Sequence, residues 1–243
     1  MQLFYFKAQD NAGNALLVED ELGHCTRTLR KQVGDTLHLI DGKGNLFEGT
    51  LLSFDKKQAQ VKIVKKLPSA APRPFQLNLV VAPTKNIERI EWLLEKGIEM
   101  GLESYTSILC DRSERKNIRV DRLEKIALSA VKQSLNINMP NISELTPFAE
   151  FIKNAPSGKK LIAHCDNSSE RFYLPNVLAN LKESENLTIL IGPEGDFTPK
   201  EVNMALAAGF EPISLGNMRL RTETAALMAT AMVSIRNQQA ILP

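Results

Sequence analysis

The chain is short of cysteine, long apolar runs and net charge, and each shortage removes a class of protein. Its 243 residues contain three cysteines, Cys25, Cys110 and Cys165. They are far apart, form no CxxC pair and have no His or Cys at metal-ligand spacing. That excludes a disulfide framework and a thiolate metal centre, and it predicts reduced thiols in a cytoplasmic protein without a bound metal. No apolar stretch approaches the roughly 18 residues a membrane span needs, so no bilayer insertion is expected. The opening MQLFYFKAQD has no basic lead-in and no small-residue cleavage site, which does not read as a signal peptide. GxGxxG, GxxxxGKS or GxxxxGKT, and GxSxG are all missing, so the dinucleotide, P-loop and α/β-hydrolase readings lose their key residues. The net charge of +2 neither demands nor excludes nucleic acid; only a local basic surface could bind it.

What remains is an ordinary globular composition, 43% apolar and 24% charged, with no internal repeat. Residues 1–68 read as a small β-barrel built from LFYF, ALLVE, DTLHLI, LFEGTLLSF and AQVKIV, with DGKGN (41–45) as a hairpin turn. One helix interrupts them at 21–32. There Leu22, Cys25 and Leu29 can share an apolar face, while Arg27, Arg30 and Lys31 fall on a basic one. LPSAAPRP, with three prolines in eight residues, marks a linker at 69–74. From 75 to 243 apolar strands alternate with amphipathic helices, the first with Ile87, Ile90, Leu94 and Ile98 at helical spacing. That pattern implies an α/β domain, a parallel sheet covered by helices on both faces.

Ligands in such sheets bind beyond the carboxyl ends of the strands. Three loops stand there: His164-Cys165-Asp166, IGPEG at 191–195, and LGNMRLRTETAA at 215–226. Thr198, Pro199 and Glu201 fit N-cap, N1 and N3 of a helix and explain the end of the second loop. They leave Gly192, Pro193, Glu194 and Gly195 unexplained, either as a plain tight turn or as backbone bared to a ligand. In the third loop Arg219 and Arg221 are either a solvated basic pair near Glu223 or a receptor for an anion. The following helix, AALMATAMVSI, is apolar nearly all round, hence buried or at an interface.

IGPEG followed by LGNMRLRTETAA resembles the paired loops of the SPOUT methyltransferases, and specifically the RsmE family. His24, Leu29 and Arg30 agree with that family, as do Lys85, Glu91, Lys96, Glu99, Gly101, Gln133, Ser134 and Pro140, so the likeness spans nearly the whole chain. Asp196 departs from it, standing where the family usually has glycine, and so do Lys132 and Asn136. The resemblance implies a PUA-like β-barrel before a SPOUT domain with a deep trefoil knot, a homodimer, and S-adenosylmethionine as methyl donor. The acceptor would be N3 of a specific uridine in 16S ribosomal RNA of the small ribosomal subunit. It implies cofactor binding by His164, Ile191, Gly192, Pro193, Glu194, Gly195, Leu215, Gly216, Met218, Leu220, Thr224 and Ala225. Arg221, or else Arg219, would stabilise the uracil anion, with Glu223 positioning the arginine or taking the proton. His24, Arg27, Arg30 and Lys85 would contact RNA phosphate, with Arg89, Arg112 and Arg115 extending that surface. A noncatalytic ribosome- or RNA-binding protein is the alternative, although binding alone needs neither loop.

Overall fold

Short strands with alternating burial build the first of two units, which comprises Met1–Ala71 and Leu128–Met139. The computed structural model describes residues 1–69, 73–165, 170–182 and 185–241. Residues 70–72 of the expected linker, and Asp166, lie outside the described residues. In this unit β1 (Leu3–Tyr5), β2 (Ala8–Gln9), β3 (Ala15–Val18), β4 (Thr36–Ile40), β5 (Leu46–Phe54) and β6 (Gln58–Leu67) form one curled sheet. Its order is β1-β4-β5-β6-β3-β2, antiparallel except for β1 beside β4. Irregular register at Glu48/Gly49 and Leu51/Ser53 accompanies the curl. Gly49 is needed there, since a Cβ would meet Lys62 O and Val61 Cγ1 at 2.8 Å. The inward residues Phe4, Leu17, Leu37, Leu39, Leu51 and Val61 make the core with Leu22 and Cys25. Burial pushes the Cys25 thiol above its ordinary pKa. At the β4–β5 turn the Asp41 carboxylate accepts bonds from Lys43 N, Asn45 N and Asn45 Nδ2 at 2.8, 3.2 and 2.6 Å.

The helix expected at 21–32 is shorter and different in kind. It runs as α1 (Glu19–Gly23) and continues as a π-helical turn, His24–Thr28. Leu29 N bonds His24 O and Lys31 N bonds Cys25 O, and Arg30 ends the segment at φ +52°. The wider turn breaks the expected spacing: Leu22 and Cys25 are buried, but Leu29 is 36% exposed. The first unit also holds an ion pair between Lys132 Nζ and Glu21 Oε1 at 2.6 Å, and Glu21 Oε2 accepts Tyr5 N. Lys132, a departure from the family pattern, is thereby occupied within this unit, while Asn136 Oδ1 accepts Asn138 N.

Continuous apolar strands dominate the second unit, Pro72–Ala127 with Pro140–Pro243. Its strands are β7 (Gln76–Val81), β8 (Ser104–Leu109), β9 (Asn141–Pro147), β10 (Lys159–Ala163), β11 (Phe172–Tyr173), β12 (Asn186–Ile191) and β13 (Glu211–Ser214). All pair in parallel, in the order β11-β13-β10-β12-β7-β8-β9. The helices are α2 (Ile87–Glu99), α3 (Val120–Gln133), whose residues from Leu128 onward belong to the first unit, α4 (Phe148–Lys153), α5 (Leu174–Ala179), α6 (Pro199–Ala207) and α7 (Thr222–Ile241). Val80, Ile108, Ile162 and Leu190 pack toward Phe148, Phe151 and Ile152 of α4 and Val202 and Ala205 of α6. On the other face α7 lies along β7 and β12, next to α2 and α5. Asn237 anchors α7 by bonding both Phe75 N and Phe75 O at 2.9 Å. The edge strands β9 and β11 are additions to the sequence reading. NISELTP carries no apolar run because no residue of that edge strand is fully buried.

Candidate active site

Since β10 lies between β13 and β12, and β12 beside β7, four strand ends are neighbours at the carboxyl edge. The loop after β12 is fastened to each side. Thr222, buried at the start of α7, donates its hydroxyl to Gly192 O at 3.0 Å. Glu194 Oε1 accepts Lys85 N, beyond β7, at 2.9 Å. Asp196 Oδ2 accepts Cys165 N, beyond β10, at 2.8 Å, while Oδ1 accepts Phe197 N at 2.8 Å. Asp196 holds φ +62°, a left-handed conformation that Asp tolerates better than most residues. Asp196 N closes the turn on Pro193 O at 2.9 Å.

The helix that follows begins as its sequence dictates. Thr198 and Glu201 form a reciprocal capping box, with Pro199 inside the first turn. Glu201 is buried, and its Oε1 also accepts Asp111 N at 2.9 Å. Burial beside this carboxylate pushes the Cys110 thiol upward.

These loops border a cleft of about 690 Å³ lined by Arg112, Cys165, Asp196, Gly216, Met218 and Arg219, among others. Such a volume is in the range of small-molecule sites. Of the residues expected to bind the cofactor, Gly216 and Met218 line the cleft. His164, buried, immediately precedes Cys165 on its wall, and Arg171 Nη1 donates to His164 O at 2.7 Å. Ile191, Gly192 and Pro193 are buried at the end of β12, whereas Glu194 and Gly195 are exposed. Leu215, Leu220 and Ala225 are half-buried and Thr224 is exposed. Arg219 lines the cleft, while Arg221 is exposed and its carbonyl accepts Ala225 N. Glu223 is 7% exposed; its Oε1 lies 3.8 Å from Arg89 Nε, and its Oε2 has no hydrogen-bond partner among the described residues. Among the described residues no cluster of His, Cys, Asp and Glu could hold a metal ion, and no helix is long and apolar enough to cross a membrane.

The residues read as RNA contacts are divided between the units. In the first, His24 and Arg27 line a depression with Lys132, His24 Nε2 lies 2.8 Å from Gln2 Nε2, and Arg30 is exposed. In the second, Lys85 is exposed and paired with Glu114 at 2.9 Å, a bond that raises its pKa. Sequence reasoning gave Arg112 and Arg115 to the same surface and missed what they hold. Arg112 Nη1 donates to Gly195 O at 2.8 Å, and Arg115 donates to Thr84 O and Lys85 O at 3.0 and 2.6 Å. No local signal marks these contacts, which join residues up to 83 positions apart.

Residues 71–234 match the model of an RNA methyltransferase domain, and residues 18–64 match that of an RNA methyltransferase PUA domain. A crystal structure of a probable rRNA-methyltransferase from Porphyromonas gingivalis is 40% identical, with a TM-score of 0.88 over 99% of this chain and 100% of that one. The ribosomal RNA small subunit methyltransferase E of Neisseria gonorrhoeae, crystallised with S-adenosyl methionine, is 26% identical, with a TM-score of 0.81 over 99% and 98%. The ribosomal RNA small subunit methyltransferase E of Synechocystis is 27% identical over 90% of this chain and 72% of its own length.

Proposed function

Because the chain belongs to the RNA methyltransferase family, and resembles its RsmE members along most of its length, we propose that it methylates N3 of one uridine in 16S ribosomal RNA. S-adenosylmethionine is the donor and the small ribosomal subunit, in the cytoplasm, the substrate. The observation that carries this reading is the cleft where the loops after β10, β12 and β13 meet.

The residues fit the cofactor. A Cβ on Gly216 would meet nothing within 4 Å, so its bare backbone faces open space in the cleft lining, at a φ of +131° that disfavours any other residue. Gly192 and Gly195 let the neighbouring loop pack closely against Phe197 and the stem of Arg112, and Pro193 stiffens it. With His164, Ile191, Glu194, Leu215, Met218, Leu220, Thr224 and Ala225, these residues hold the cofactor largely through backbone groups. The cofactor supplies a methyl group already activated by a sulfonium charge.

Uracil N3 carries a proton at neutral pH, and only the deprotonated nitrogen has a lone pair for attack. The protein must therefore favour the anion, whose charge spreads to O2 and O4. A guanidinium offers fixed donors and permanent charge for those oxygens. Arg221 or Arg219 fills that role, with Glu223 positioning the arginine or accepting the N3 proton. His24, Arg27, Arg30 and Lys85 contact phosphate, which positions the RNA without reading its sequence.

The reading includes a PUA-like domain at 1–68, a linker at 69–74 and a methyltransferase domain at 75–243 whose C-terminal segment is threaded as a trefoil knot. A homodimer is supported by the exposed Met228 and Ile235 of α7. The test incubates the protein with S-adenosylmethionine and small subunits from cells lacking the enzyme, then maps modified nucleosides by mass spectrometry. One N3-methyluridine is expected; methylation of another atom or base overturns the assignment.

A further inference from the structure

Arg112, in the segment after β8, is exposed and shares the cleft lining with Arg171 and Arg219, as a phosphate-binding arginine would. Its contacts are of a different kind. Nη1 donates to Gly195 O at 2.8 Å and, at a longer 3.4 Å, to Phe197 O. Its stem packs on Gly195: a Cβ added to that glycine would lie 3.3 Å from Arg112 Cβ and 3.4 Å from Cδ. The residue also lines the cleft, where the Asp196 carboxylate accepts backbone N–H groups at both oxygens instead of pairing with it.

We propose that Arg112 is a positioning residue of the cofactor cleft, which fixes the backbone of the 192–197 loop by gripping its carbonyls. It does not serve as an RNA phosphate contact. This rests on the reading of the cleft as the S-adenosylmethionine site. A guanidinium suits the task because it is planar, permanently charged and able to serve two carbonyls from one rigid fork. The other ties of the loop come from the Lys85 backbone, the Asp196 carboxylate and the Thr222 hydroxyl. Among the described residues, Arg112 is the one that reaches it from the β8 side, and the one tie made by a cationic side chain. The glycine at 195 follows from the same contact, because a side chain there would push the stem away.

The test compares the full-length protein with Arg112→Gln and Arg112→Lys. In the ligand-free protein, hydrogen exchange at the amides of Gly192 and of residues 194–197 is expected to quicken in Arg112→Gln and to be partly restored in Arg112→Lys. The KM for S-adenosylmethionine is expected to rise roughly tenfold in Arg112→Gln, the order set by one charge-assisted hydrogen bond. The KM for small subunits and the salt dependence of RNA binding are expected to stay as in the unaltered protein. A phosphate contact gives the opposite pattern: unchanged loop exchange, unchanged cofactor KM, and a log–log salt slope smaller by about one. That pattern overturns the proposal. If the unaltered protein binds no S-adenosylmethionine, the functional reading falls. The exchange measurement then still decides what Arg112 does: quicker exchange upholds the grip on the loop and unchanged exchange removes it.

Discussion

Thr222 donates its hydroxyl to the carbonyl of Gly192 at 3.0 Å, so the first residue of α7 is tied to the first residue beyond β12. The bond is buried and joins two of the loops that border the cleft. Thr222→Val keeps the shape of the side chain and strands the Gly192 carbonyl. Loss of a buried partner costs about 1–3 kcal/mol, so the unfolding free energy from urea titration should fall by that amount and the KM for S-adenosylmethionine should rise. A variant with unchanged stability and KM would mean that the bond does not set the loop.

Asp196 combines a left-handed backbone with two accepted backbone bonds, and three substitutions separate those roles. Asn keeps the tolerance for positive φ and one acceptor oxygen. Gly keeps only the first. Ala keeps neither and adds about 1–2 kcal/mol of backbone cost. Thermal midpoints should therefore fall in the order Asp, Asn, Gly, Ala; Gly ranking at or above Asp would show that the carboxylate bonds contribute nothing.

Glu201 serves the Thr198 cap and the Asp111 amide from a buried position. Glu201→Ala leaves both sets of donors without an acceptor, at about 2–4 kcal/mol from a lost cap and a lost charged hydrogen bond together. A loss below about 0.5 kcal/mol in urea unfolding contradicts this, being no more than an ordinary surface change.

For pH, the informative group is Asp41. Partial burial works to raise its pKa, but the Asn45 side chain and the turn amides outweigh it and hold the carboxyl below its ordinary value. A depressed carboxyl contributes stability that is present above the unfolded pKa of about 3.9 and is lost as the pH falls through the folded value. Asp41→Ala should accordingly be less stable than the unaltered protein at pH 7, and the two should converge below about pH 4. A gap in thermal midpoint that persists unchanged to pH 2 rules out the carboxylate as its source.

Much of this was legible locally. The buried strands showed as apolar runs because a two-sided parallel sheet needs them, and the Thr198–Glu201 cap showed because its chemistry lies within four residues. The left-handed φ at Asp196 falls where the resembled family has glycine, a conformation Asp can also adopt. The edge strand β9 was hidden because half-buried positions carry no apolar run, and the π-helical turn after α1 because nothing in HCTRT forbids an ordinary helix. Contacts between distant loops had no local sign at all. Arg112 on Gly195 and Arg89 beside Glu223 come from strand order, which periodicity does not encode.

The most direct test of the account is a crystal structure with S-adenosylhomocysteine bound. It predicts a ligand enclosed by the 192–197 loop, the 215–219 loop and Cys165, with Gly216 against it and Arg112 still on the Gly195 carbonyl. A ligand seated instead in the groove lined by Pro175, Leu178, Met232 and Ile235 would contradict the assignment of the cleft.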